Sequence, residues 1–150
     1  MKKVGILTCS NTTQDLGCSS FKCLEDINRN GGEFKRHEKD GGAQLAGIIN
    51  CAGCPTVVAP EKLLSRVRSL SEIGVDAIHL SACVMALCPF KTKYVKLLEE
   101  NFPEIEIIKG THDAPEGEAE MFMVWAKEML STKPSPMADL VVQMNSEQTA

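Results

Sequence analysis

Apolar positions fall along this chain in two alternating periods. Short apolar runs inside KKVGILTC, QLAGIINC, VDAIHLSAC and EIEIIKGTH have the length of buried strands. Between them lie stretches whose apolar residues recur at helical spacing. CSSFKCLEDINRN carries Phe21, Leu24 and Ile27 ahead of the stop signal Gly31-Gly32. Pro60, suited to a first helical position, precedes the stripe Leu63, Val67 and Leu70, which ends near Gly74. KTKYVKLLEENF turns Tyr94, Leu97 and Leu98 inward. EGEAEMFMVWAKEML reads as a closing helix with Glu116, Glu118 and Glu120 in its first turns, where the helix dipole favours them.

Strands alternating with amphipathic helices predict an α/β fold: a single open, mostly parallel sheet with helices on both faces, flavodoxin-like or Rossmann-like. EFKRH alternates loosely, and the turn material DGGA leaves no room for a crossover helix before QLAGIINC. It therefore reads as an edge strand paired antiparallel. Residues 1–130 are expected to form one domain, and the proline-containing residues 131–150 a flexible tail.

Composition narrows the function. Of 150 residues, 43% are hydrophobic and 24% charged, which is ordinary globular usage. The net charge is -4 and the basic residues are scattered, so no footprint for nucleic acid is present. No apolar run approaches the about 20 residues of a membrane span, and the apolar part of MKKVGILTCSNTTQ is too short for a signal peptide. The expectation is a cytoplasmic protein. In a reducing compartment the 7 cysteines, an odd number, point to metal binding or thiol chemistry rather than to a disulfide framework.

Laid on the predicted strands, the cysteines are not randomly placed. Cys9 ends the first run, Cys51 and Cys54 follow the second, Cys83 and Cys88 the third, and His112 the last. These are carboxyl ends of strands, the edge at which open α/β sheets bind ligands. Cys18 and Cys23 flank the start of the first helix at the same edge. Thiols serving as core filler would show no preference for one strand end. His79, inside a strand, reads as a core histidine, and His37, on the suspected edge strand, as facing solvent.

The spacing Cys51-Ala-Gly-Cys54 presents two sulfurs from one turn, as a tetrahedral zinc site requires. Cys83 or Cys88 with Cys9 or His112 would complete the set. An iron-sulfur cluster suits the same thiols almost as well, since both cysteine pairs end in Cys-Pro. A redox reading takes Cys51 as attacking thiolate and Cys54 as its resolving partner, although PTVVA separates the pair from the next helix. TCSNTTQ offers hydroxyls to an anion but lacks the glycine spacing of a nucleotide loop. Asp113 either orients His112 or caps a helix.

TCSNTTQDLGCSSFKC, CAGCP, IHLSACVMALCP and KGTHD, in that order between about Val4 and Trp125, together resemble the CGGC-domain proteins. The resemblance implies metal binding, with zinc suggested, and no assigned reaction. Carried over by position, it places ligand candidates at Cys9, Cys18, Cys23, Cys51, Cys54, Cys83, Cys88 and His112. The chain departs from the motif at Ala52, where the family has glycine. A methyl group there disfavours a positive φ or a close approach of backbone to ligand.

Overall fold

A computed structural model describes residues 1–113 together with 120, 121 and 124. The predicted closing helix, apart from those last three positions, and the 131–150 tail lie outside the described residues. Strand β1 (Lys2–Thr8) is followed by helix α1 (Phe21–Arg29), a 3-10 segment (Gly32–Asp40) and strand β2 (Ala43–Asn50). Helix α2 (Glu61–Ile73), strand β3 (Ala77–Leu80), helices α3 (Ala82–Leu87) and α4 (Lys91–Asn101) and strand β4 (Glu106–Lys109) complete the order. The sheet runs β2-β1-β3-β4 and every pairing is parallel. This is the order in which the flavodoxin-like doubly wound sheet begins.

Alternation along β1 divides the core between the two faces of the sheet. Val4 and Ile6 pack with Ala77 and Ile108 against Cys23, Ile27 and Phe34, which belong to α1 and the 3-10 segment. Leu7, Ile78 and Leu80 pack on the opposite face against Leu63, Val67 and Leu70 of α2 and Leu98 of α4. Each such fully buried aliphatic side chain stabilises the fold by roughly 1.5–3 kcal/mol. Gly5 lets α2 settle close to the sheet: a Cβ at that position would lie 2.6 Å from Leu70 Cδ1.

The expected edge strand EFKRH is absent, and the segment is 3-10 helix instead. With three residues per turn, side chains at i and i+3 align. Phe34 and His37 have that spacing, and they are the residues the segment buries, at 0% and 2% exposure. His37 therefore faces the core and not solvent. With α1, this segment forms the crossover that a parallel connection needs, which is why β2 pairs parallel to β1 and no antiparallel strand occurs among the described residues.

Two further details differ from expectation. The inward face of α1 is formed by Cys23, Asp26 and Ile27, while Phe21 is 62% exposed. Helix α3 follows β3 directly, capped by Ser81, whose hydroxyl accepts from the Val84 N-H. Among the described residues, no helix is long and apolar enough to cross a membrane.

Candidate functional site

Backbone pairing continues past the strand ends and fixes where the reactive loops leave the sheet. The Cys51 N-H donates to Thr8 O at 3.1 Å, and the Ser81 N-H to Leu7 O at 2.9 Å. Cys9, Cys51 and Ser81 thus stand side by side at the carboxyl edge. Cys9 and Cys51 are buried there, Cys83 and Cys88 are half-buried, and Cys18 and Cys54 are exposed.

The turn around the cysteine pair is built on unusual backbone. Ala52 has φ 63 and Gly53 φ 101. The methyl group has not excluded the left-handed conformation; the Asn50 side chain holds the turn by accepting from the Ala52 N-H at 2.9 Å. Cys54 opens a single 3-10 turn (Cys54–Val57) with Pro55 next to it. The buried Thr56 hydroxyl lies 2.7 Å from Gly53 O and 2.8 Å from the Tyr94 hydroxyl, so it donates to Gly53 and accepts from Tyr94. Asn11 donates to the Cys54 sulfur at 3.5 Å.

Cys88, at the C-cap of α3, stands close enough to Cys9, Cys51 and Cys54 to feel charge on all three. Its thiol is raised above the ordinary value, chiefly by burial, and negative charge on those three sulfurs pushes it the same way. Burial also raises Tyr94, with Cys51, Cys88 and Cys54 adding to the rise. Cys88 thus neighbours three thiols of two other strand-end loops, and Tyr94 stands beside Cys51, Cys54 and Cys88.

Cys83 occupies the first turn of α3, at the crevice where the chain reverses between β1 and β3. Burial raises its thiol, while the Ser81 hydroxyl at 2.8 Å and the Cys9 backbone N-H favour its ionised form. The Thr12 hydroxyl is buried beside the same sulfur without a hydrogen bond of acceptable geometry, so it acts there only as a nearby dipole.

On the α1 side, Cys23 Sγ lies 3.6 Å from His112 Nδ1 and 3.3 Å from the Thr111 hydroxyl. Burial pushes the Cys23 thiol up to about 11, partly offset by Thr111. Thr111 also accepts from the Ala82 N-H at 3.1 Å, which ties this loop to the first turn of α3. Cys18 lies in the loop before α1, where its sulfur accepts from the Ser20 N-H at 3.4 Å.

The family model for the CGGC domain matches residues 3–112. The chain belongs to the CGGC-domain family. No curated protein and no solved structure matches it. All the thiols and His112 fall inside the segment matched to the CGGC domain, as does the buried pair His37 and His79. Metal binding is the property ascribed to CGGC-domain proteins. Among the described residues, no three His, Cys, Asp or Glu side chains already converge into a coordination geometry. The chemistry of the donor set nonetheless suits a thiophilic ion, because thiol and imidazole groups dominate it.

His37 is the residue the periodicity reading misplaced. A buried histidine three positions after a buried phenylalanine is the signal that a 3-10 turn would have supplied.

Proposed function

We propose that this CGGC-domain protein binds a transition metal ion, zinc, through its strand-end thiols, with Cys51 and Cys54 at the centre and Cys9 and Cys88 completing the set. The observation that carries the reading is the neighbourhood of Cys88, which lies close enough to Cys9, Cys51 and Cys54, from two other strand-end loops, for charge on each to reach it. Four thiolates are a common tetrahedral ligand set for zinc. Turning the four sulfurs onto one ion displaces their protons, so affinity falls as pH falls.

The redox reading draws less support. That reading takes Cys51 as the attacking thiolate, yet Cys51 is buried and Cys54 is the exposed member of the pair. Access and order are reversed relative to that role.

Elemental analysis and a visible spectrum of protein purified without oxygen and without an affinity metal test the proposal. Zinc near stoichiometry in colourless protein supports it, and Cys51→Ser/Cys54→Ser then lowers the bound zinc. Iron with matching sulfide would reassign the thiols to an iron-sulfur cluster. Protein without metal, or zinc content indifferent to the double substitution, refutes the site.

A further inference from the structure

A pair of hydroxyls is buried where apolar side chains would pack as well. Thr56 and Tyr94 are 2% and 3% exposed, and Tyr94 belongs to the core that holds Cys51, Leu64, Val95 and Leu98. Burying a hydroxyl in such surroundings costs free energy unless it finds a partner. Here both find one, and the chain of partners ends on the cysteine turn.

The Thr56 hydroxyl has one hydrogen and three oxygens around it: Gly53 O at 2.7 Å, Cys51 O at 3.2 Å and the Tyr94 hydroxyl at 2.8 Å. Carbonyl oxygens only accept, so Thr56 directs its hydrogen at them and the Tyr94 hydroxyl donates to Thr56. The Thr56 N-H donates to Gly53 O as well, at 3.1 Å. Both carbonyls lie within the turn from Cys51 to Cys54.

Tyr94 links that turn to a second cysteine-bearing loop. It stands in the first turn of α4, whose N-cap Phe90 comes just after Cys88 and Pro89. The Tyr94 N-H donates to Phe90 O at 3.0 Å, the Lys91 N-H to Cys88 O at 3.4 Å, and the Phe90 and Tyr94 rings meet edge-on at 6.4 Å. The 2.8 Å bond between Tyr94 and Thr56 therefore joins the segment that carries Cys88 to the turn that carries Cys51 and Cys54. Lys93 adds an exposed tie alongside it, with Nζ donating to Val57 O at 2.7 Å.

On this geometry we infer that Thr56 and Tyr94 are positioning residues, a brace that keeps the Cys51–Cys54 turn in shape, with Cys51 buried, and in register with the Cys88 loop. The inference deepens the metal-binding reading and rests on it only for its zinc arm, since the brace is a property of the metal-free chain. Its role is preorganisation: binding need not first order the turn that presents the sulfurs.

Timed iodoacetamide labelling of the metal-free full chain, resolved by peptide mapping, tests the brace. Thr56→Val keeps the shape of the side chain and removes its hydroxyl, and Tyr94→Phe removes the donor while keeping the ring. Both should speed labelling of Cys51 about tenfold, as the loss of one buried hydrogen bond allows. Cys23, packed on the α1 side, should keep its wild-type rate. Thr56→Ser restores the hydroxyl and should restore slow labelling. Unchanged labelling of Cys51 in both variants overturns the brace. Equal acceleration at Cys51 and Cys23 overturns it too, because that pattern marks loosening of the whole fold. In the zinc arm, protein reconstituted with zinc alone is challenged with excess EDTA. Thr56→Val should release the ion about tenfold faster than wild type or Thr56→Ser. Equal release rates overturn the positioning role at the site. A wild type that takes up no zinc refutes the metal-binding reading, and labelling then decides the brace by itself.

Discussion

His37 and His79 share one hydrogen bond, Nε2 to Nε2 at 2.9 Å, enclosed between the 3-10 segment and β3. His79 Nδ1 lies 2.9 Å from Gly110 O, which can only accept, so Nδ1 carries a proton. The neutral ring then offers Nε2 as the acceptor for the His37 Nε2-H. A second proton on His79 would set N-H against N-H.

Acid is therefore expected to weaken the fold. Burial pushes His79 down to about 4 and lowers His37 as well, the latter partly opposed by Glu106 and assisted by Arg36. The unfolded chain binds more protons between the two values, so this stability is complete above pH about 6.5 and is lost as pH falls toward 4. For His79 alone the loss is on the order of 3 kcal/mol. Urea unfolding of metal-free protein at pH 7.5 and 4.5 measures it. Equal midpoints would sink the assignment.

Ala52→Gly is expected to stabilise the protein. An L-residue in the left-handed region costs about 1–2 kcal/mol, and glycine returns roughly 0.5–1 kcal/mol of that as extra backbone entropy in the unfolded chain. The net gain should be about 0.5–1 kcal/mol, read as a higher denaturation midpoint. A lower midpoint contradicts the strained turn at φ 63.

Alkylation of the metal-free protein should follow access and ionisation. Cys54 and Cys18, both exposed, react first. Cys23, at 4% exposure and with its thiol pushed up to about 11, reacts last. At pH 8 only about one Cys23 thiol in a thousand is ionised. Peptide mapping after timed iodoacetamide treatment gives the order, and early labelling of Cys23 would contradict its placement beneath α1.

Gly32→Ala should be strongly destabilising. Gly32 has φ 49, and a Cβ there would strike Thr111 O and lie 2.9 Å from His112 Cα. The cost is expected to exceed about 2 kcal/mol, combining overpacking with left-handed strain. A chain as stable as wild type would show that the loop yields freely.

Strand and helix periods in the sequence were enough for the fold class and for most elements, because β1, β3, α2 and α4 bury the residues their spacing marks. The 3-10 segment was not legible. Its period of three lies between those of strand and helix, and only Phe34 and His37 in it are apolar enough or buried enough to show a face. Helix α3 was hidden for a different reason: with 6 residues it is too short to display a stripe. The positions of the thiols along the strands were legible, but the burial of Cys23 on the α1 side was not. That burial depends on α1 turning Cys23 inward in place of Phe21, a rotation which hydrophobicity alone argues against.

The parallel order of the sheet shapes how the chain is made as well as what it holds. Val4 in the central strand pairs with Ala77, a partner synthesised long after it. Until β3 leaves the ribosome, β1 is bordered on one side only, and neither core can close. Throughout that interval Cys9, Cys23 and Cys51, all buried in the finished fold, are exposed to the medium around the nascent chain. Slow, non-local closure of this kind leaves intermediates open to misassembly. For this protein the vulnerable period of its life is therefore birth, when oxidants and stray ions reach sulfurs that the finished fold conceals.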